Sequence, residues 1–299
     1  MKSLKIVSRA IKNHPLASKE PLKAWRRFLQ WQIISRIYKN GIVVPYVENS
    51  LLLVKPSMHG ATGAIYLGLQ EFEDMMFMLH LLIKKDSFYD IGANIGSYSI
   101  LAAKVIGTKV VAIEPIPQTF ECLRNNIAIN NISDKIQALN IGVGEEEGIL
   151  KFTNAFDTVN HVVLGNKNDE SVIEVQVESL NALYKNKKLS QPILMKIDVE
   201  GFELSVLNGA SDILMNEELK AVIIEINGCC KSFGVQEMDI HNKLVSYNFK
   251  AYTYNPFTRS LESQSSFTPN GNTIYIRDLP FVKQRLLESR DFEILGKTI

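Results

Sequence analysis

The sequence predicts an α/β fold: a mostly parallel sheet with helices on both faces, a helical extension before it and a small antiparallel insertion within it. Three observations carry this prediction. Short β-branched runs alternate with helix-period segments from Ser87 onward, a glycine-interrupted turn (DIGANIG) follows the first of them, and acids close successive runs.

Composition sets the frame. With 299 residues, 46% of them hydrophobic, the chain can bury a full core as one large domain with an extension or as two small domains. A formal charge of +1 argues against a whole-protein nucleic-acid binder, and none is expected as a partner. The charge is unevenly placed, because residues 1–40 hold ten Lys and Arg against Glu20 alone, which leaves the remainder net acidic. Cys122, Cys229 and Cys230 have neither metal-ligand spacing nor a secreted disulfide pattern. No run reaches the roughly 18 to 20 apolar residues of a membrane span, and MKSLKIVSRAIKNHPLASKE lacks a signal-peptide core. A cytoplasmic protein is expected, with peripheral contact to the inner face of a membrane through its basic start as an added expectation.

The elements follow in order. Residues 1–85 read as a basic helical and extended lead-in. Pro21 to Tyr38 places Trp25, Phe28, Leu29, Gln32, Ile33 and Ile37 near helical spacing with Arg26, Arg27 and Arg36 between them, an amphipathic basic helix. Gly41 to Ser57 is extended, and Glu71 to Lys85 is a helix whose acids lead and whose lysines trail, as the helix dipole favours. Residues 86–280 form the main domain: strand SFYDI, helix Gly96 to Val105, strand KVVAIE, helix Pro117 to Asn130 and strand KIQALNI. ILKFTN and VIEVQV, separated by a polar stretch, read as an antiparallel insertion. ILMKIDVEG and AVIIEING resume the buried-strand pattern, and Phe249 to Tyr254 with Asn272 to Arg277 supply a final antiparallel pair. Residues 281–299 are a C-terminal tail.

Ligands of open parallel sheets sit beyond the carboxyl ends of the strands. Asp90 and Gly92, Glu114, Gly142, Asp198 with Glu200, and Glu225 all occupy such places. Glu114 lies 24 residues after Asp90, near the offset at which an acid meets ribose hydroxyls. A dinucleotide's pyrophosphate needs G-x-G-x-x-G, whereas this loop reads Gly92, Asn94, Gly96, with a side chain at the middle glycine position. The loop suits the smaller amino-acid end of S-adenosylmethionine, with Asp90 and Asn94 as its polar groups.

DIGANIGSYS, EPIPQTFECLRNNIAINN, KIDVEGFE and IIEING, in that order, resemble the FkbM-type methyltransferases over about residues 65–277. The resemblance implies a class I methyltransferase (Rossmann-like) sheet of seven strands, S-adenosylmethionine as cofactor, and a hydroxyl on a sugar, glycan or glycolipid as acceptor. It implies cofactor contacts from Asp90, Gly92, Asn94, Gly96, Glu114, Pro115, Gly142 and Asp198.

A hydroxyl acceptor must also lose its proton. Asp198, Glu200 and His161, the last in the inserted segment, are the catalytic candidates. Two of Asp198, Glu200 and Glu225 are the alternative as a divalent-cation pair, although no metal is assigned. Tyr252, Tyr254 and Phe257 offer either a stacking surface for a sugar ring or ordinary core packing. An NAD(P)-dependent oxidoreductase and a non-catalytic cofactor- or glycan-binding subunit are the competing readings.

Overall fold

Short apolar strands with no polar face demand cover on both sides, and the centre of this molecule is built from them. The computed structural model describes residues 2–56, 58–153, 162, 172–186 and 189–299. In chain order, α1 (Lys2–Asn13) and α2 (Pro21–Ile37) lead into the hairpin β1 (Ile42–Pro45) and β2 (Leu51–Val54), then α3 (His59–Leu67) and α4 (Phe72–Leu81). The alternating core follows: β3 (Ser87–Ile91), α5 (Ser97–Ile100) with a π-helical continuation to Ile106, β4 (Lys109–Ile113), α6 (Pro117–Ile129) and β5 (Ile136–Leu139). β6 (Gly142–Gly144), β7 (Gly148–Thr153) and β8 (Val172–Ser179) form the inserted sheet. Then come α7 (Leu180–Asn186), β9 (Leu194–Ile197), α8 (Glu203–Asn208), α9 (Ser211–Met215), β10 (Ala221–Ile226) and α10 (Glu237–Ser246). The chain closes with β11 (Lys250–Asn255), β12 (Ser260–Ser263), β13 (Gly271–Ile276), α11 (Leu279–Glu288), β14 (Glu293–Ile294) and β15 (Lys297–Thr298).

The main sheet runs β12-β11-β13-β10-β9-β3-β4-β5. Five strands from β10 to β5 are parallel, and β13, β11 and β12 are antiparallel to their neighbours. The sheet therefore has eight strands and not the expected seven. The eighth is β12, a mostly exposed edge strand whose sequence, SLES, has too little apolar content to announce itself. From β3 the chain steps outward to β4 and β5, then returns to β9 and β10 on the other side of β3. The strand order thus reverses between β3 and β9, which is where a ligand is expected.

Both faces are covered. Met75 to Leu82 of α4 and its continuation, together with Leu101, Ala102 and Leu123, bury one face, while Leu180, Val206, Leu207, Leu214, Ile240 and Leu244 bury the other. Two asparagines of the RNNIAINN stretch are structural: Asn126 Oδ1 and Asn130 Oδ1 accept from Leu53 N (2.7 Å) and Leu51 N (2.8 Å), so α6 satisfies the edge of β2. Asn126 Nδ2 donates to Ile95 O at 2.9 Å and ties the same helix to the glycine loop.

Several boundaries differ from expectation. The expected helix to Lys85 stops at Leu81, and Asp86 Oδ2 accepts from Ile83 N in the turn that follows. A boundary at 281 falls inside α11, and the expected tail packs on the core through Val282, Leu286, Phe292 and Ile294. Arg285 pairs with Asp86 at 2.9 Å across that contact. The helices α3, α10 and α11 were not read from sequence. α10 carries a capping box between Gln236 and Asp239, and Asp278 caps Phe281 N of α11, so both had a start signal.

On α2 the expected apolar face is split. Ala24, Phe28 and Trp31 are buried, while Leu29, Ile33 and Ile37 face outward.

Candidate functional site

Gly92 sits at the switch point with φ +80°, a conformation L side chains rarely adopt. A Cβ there would lie 1.8 Å from the carbonyl oxygen of Asp198, so only glycine lets β3 and β9 approach so closely at their ends. Asn94 is also left-handed, at φ +53°, a conformation asparagine tolerates. Its amide donates to Glu114 Oε2 at 3.0 Å, and its own Oδ1 accepts from Ile95 N at 2.8 Å. The loop amides a pyrophosphate would need are therefore taken by the protein itself, which disfavours dinucleotide binding.

Glu114, buried just past β4, also accepts from Ile116 N at 2.9 Å. Burial pushes its carboxyl up to about 7, against the two backbone donors that hold it down. Each oxygen takes one amide and keeps a lone pair for a hydroxyl.

A cleft opens beside it, lined by Gly92, Asn94, Glu114, Pro115, Gly142 and Asp198 together with apolar Ile113, Ile116, Val143 and Phe152. Apolar walls around Glu114, with Asp198 and Glu200 at the far side, suit a nucleoside: flat surface for a base, acceptors for a ribose.

A second cavity shares Gly92, Asn94 and Asp198 with the first and is lined by Tyr46, Glu71, Asp90, Ser97, Tyr98 and Lys196. Its centre is Lys196 of β9, buried, with its ammonium 2.8 Å from Asp198 Oδ2 and 4.9 Å over the Tyr98 ring. Burial opposes its charge, but Asp198, Glu71 and Asp90 hold it firmly protonated. Glu71 accepts from Tyr98 (2.6 Å) and Asn272 (2.7 Å). Asp90 accepts from Ser99 at 2.6 Å, and burial pushes it up to about 6.

The catalytic candidates meet where the clefts join. Carboxylate oxygens of Asp198, Glu200 and Glu225 all lie within 4.8 Å of one another, a spacing that could hold a cation. Asn227 Nδ2 donates to Glu200 (3.1 Å) and Glu225 (2.9 Å), so a neutral donor already bridges two of them. Burial raises Glu225 to about 9, helped by the neighbouring Asp198 charge, while burial of Asp198 is outweighed by Lys196, which holds it below the usual carboxylate range. Glu225 thus favours its protonated form, as donor to a charged Asp198.

Not every expected residue joins the site. His161 lies outside the described residues. Gly96 (φ +92°) lines neither cleft; its missing side chain makes room for Leu123 Cδ1, 2.5 Å from where a Cβ would stand. Tyr252 and Tyr254 are core residues, the latter hydrogen-bonded to His80 Nδ1 at 2.6 Å, and the exposed Phe257 stacks on Phe72 and under Lys19. Sequence reasoning missed Lys196, although a lone lysine inside the apolar run ILMKI was a visible oddity. It also missed Glu71, Tyr98 and Asn272, whose separation along the chain leaves no local signal.

The Methyltransferase FkbM domain model matches residues 90–254. "Methyltransferase 1" of Beauveria bassiana is 30% identical over 149 residues, covering 42% of this chain and 59% of that protein. "Hexuronic acid methyltransferase AglP" of Haloferax volcanii is 29% identical over 163 residues, covering 54% of this chain and 62% of that protein. The chain thus matches less than two thirds of the length of these relatives. A crystal structure of Methyltransferase FkbM from Methylobacillus flagellatus aligns with TM-score 0.44 at 20% identity, over 65% of this chain and 44% of that one.

Proposed function

Because this chain belongs to the FkbM methyltransferase domain family, we propose that it is an S-adenosylmethionine-dependent O-methyltransferase acting on a hydroxyl of a sugar or glycan-like acceptor. The observation that carries the reading is the pairing at the switch point: a cleft with one pinned carboxylate, Glu114, meets a group of acids at Asp198. The hexuronic acid named for one relative supports the acceptor class.

The residues present fit the cofactor. Glycine at 92 lets the loop lie against the backbone of Asp198, Glu114 retains acceptors for ribose hydroxyls, and Asp90, Asn94 and Ser97 offer polar groups for an amino acid end. When bound, S-adenosylmethionine supplies a methyl group activated by its sulfonium. The protein must align that group with the acceptor oxygen, and alignment alone can supply about 7 to 11 kcal/mol. The proton of the acceptor hydroxyl would pass to the carboxylate of Asp198 or Glu200, because Glu225 is the one held in its protonated form. Lys196 keeps Asp198 ionised and so fixes which carboxyl holds the resident proton. His161 is the second candidate for proton acceptor, and loss of turnover in His161→Ala would install it.

Calorimetric titration with S-adenosylmethionine, with NAD as comparison, tests the cofactor. Tight binding of the first alone is expected, weakened about tenfold or more in Glu114→Ala, which loses charge-assisted bonds of about 1.5 to 3 kcal/mol each. Binding of NAD alone would overturn the reading in favour of an oxidoreductase. Transfer of labelled methyl to uronic acid glycosides then tests the acceptor: an ether label survives alkali, whereas an ester label does not and would exclude hydroxyl methylation.

A further inference from the structure

Helix α2 has two apolar faces. Ala24, Phe28 and Trp31 are buried, and Phe28 and Ala24 pack with Val7, Ile11 and Leu67. On the opposite side Leu22, Leu29, Ile33 and Ile37 are exposed, from 55% for Leu29 to 84% for Leu22. At 3.6 residues per turn these four fall within a stripe about 80° wide that runs some 22 Å along the helix. Such a face, left in water, disfavours the bare state and marks a contact.

The charge around the stripe says what kind of contact. Arg26 lies within it and Arg36 on its border, both exposed and, among the described residues, without an ion-pair or hydrogen-bond partner. Exposed Lys39 follows the helix, and Lys5, Arg9 and Lys12 are exposed on α1. Residues 1–40 hold ten basic residues and one acid, which Lys23 already engages at 2.8 Å. A second copy of this chain would bring two such charges together; a lipid leaflet with anionic headgroups neutralises them while taking up the leucines and isoleucines. Among the described residues no helix is long and apolar enough to cross a membrane, so the helix would lie in the interface plane.

We propose that the outward face of α2 docks this protein on an anionic lipid surface, with Leu22, Leu29, Ile33 and Ile37 inserted below the headgroups and Arg26 and Arg36 among them. The surface is independent of the catalytic reading and stands or falls separately.

Co-flotation of the full chain with vesicles tests it. Vesicles of phosphatidylcholine with an equal part of phosphatidylglycerol are expected to carry the protein at low salt, phosphatidylcholine alone to leave it behind, and high salt to release it. Leu29→Ala with Ile33→Ala should cut binding by about tenfold or more without moving the melting temperature, since both side chains are in solvent, and Arg26→Glu with Arg36→Glu should do the same. No flotation with the anionic vesicles at low salt overturns the proposal, and so do variants that float as the wild type does. A concentration-dependent dimer that the Leu29→Ala, Ile33→Ala variant abolishes would assign the face to a second copy of the chain instead.

Discussion

The two clefts that meet at Gly92 and Asp198 are built on different principles. The one beside Glu114 is a largely apolar slot in which the oxygens of Glu114 are pinned by backbone amides from two strand-end loops. The one beside Lys196 is a charged network, in which one buried ammonium answers Asp198, Asp90 and Glu71 at once. A slot of the first kind tolerates change in its walls, because its acid is held by main chain. The second tolerates little, because a single ammonium serves several buried carboxylates.

Removing the lysine breaks that balance most severely. Lys196→Met leaves buried carboxylates without their cation, and stripping one partner from a buried pair costs about 3 to 5 kcal/mol. A fall of that size in denaturant unfolding is expected. Stability closer to wild type would mean that the carboxylates are solvated and the network contrast is false. Gly92→Ala comes next. The added Cβ meets the Asp198 carbonyl and the residue is held at positive φ, so about 3 kcal/mol of stability should go, together with measurable cofactor binding in the titration described above.

Those two residues also show what can be read before folding. Gly92, Asn94 and Glu114 stand at strand ends within one βαβ unit, so their spacing alone places them together. The parallel core and the inserted hairpin were legible for the same reason: their hydrophobic periods are local. Lys196 meets Glu71 across 125 positions and six intervening strands, and Asn272 reaches Glu71 from farther still. No window of sequence contains such a contact. The split faces of α2 were illegible for a related reason, since periodicity reports that a helix has apolar stripes and not which of them finds a partner.

The Asp198 and Glu225 pair sharpens the contrast through pH. A carboxyl raised to about 9 in the folded state binds a proton that the unfolded chain has released above its ordinary value near 4.5. Between those values the folded state therefore holds more protons, so its stability is fully present at low pH and is lost as pH rises toward 9. Glu225→Gln, which cannot release that proton, should flatten the decline in melting temperature between these limits. An unchanged slope would show that the two carboxyls do not share a proton.

The smallest effect separates two glycines of one loop. Gly96, like Gly92, has positive φ, but its missing Cβ faces the end of the Leu123 side chain and not a backbone carbonyl. Leu123 can turn aside where the carbonyl of Asp198 cannot. Gly96→Ala should therefore cost about 1 to 3 kcal/mol, chiefly from backbone strain, and should leave cofactor affinity nearly unchanged in the protein that remains folded. If affinity falls as far as in Gly92→Ala, Gly96 positions the cofactor through the loop's backbone. In that case the start of α5 belongs to the site, and the two glycines differ only in what they touch, not in what they do.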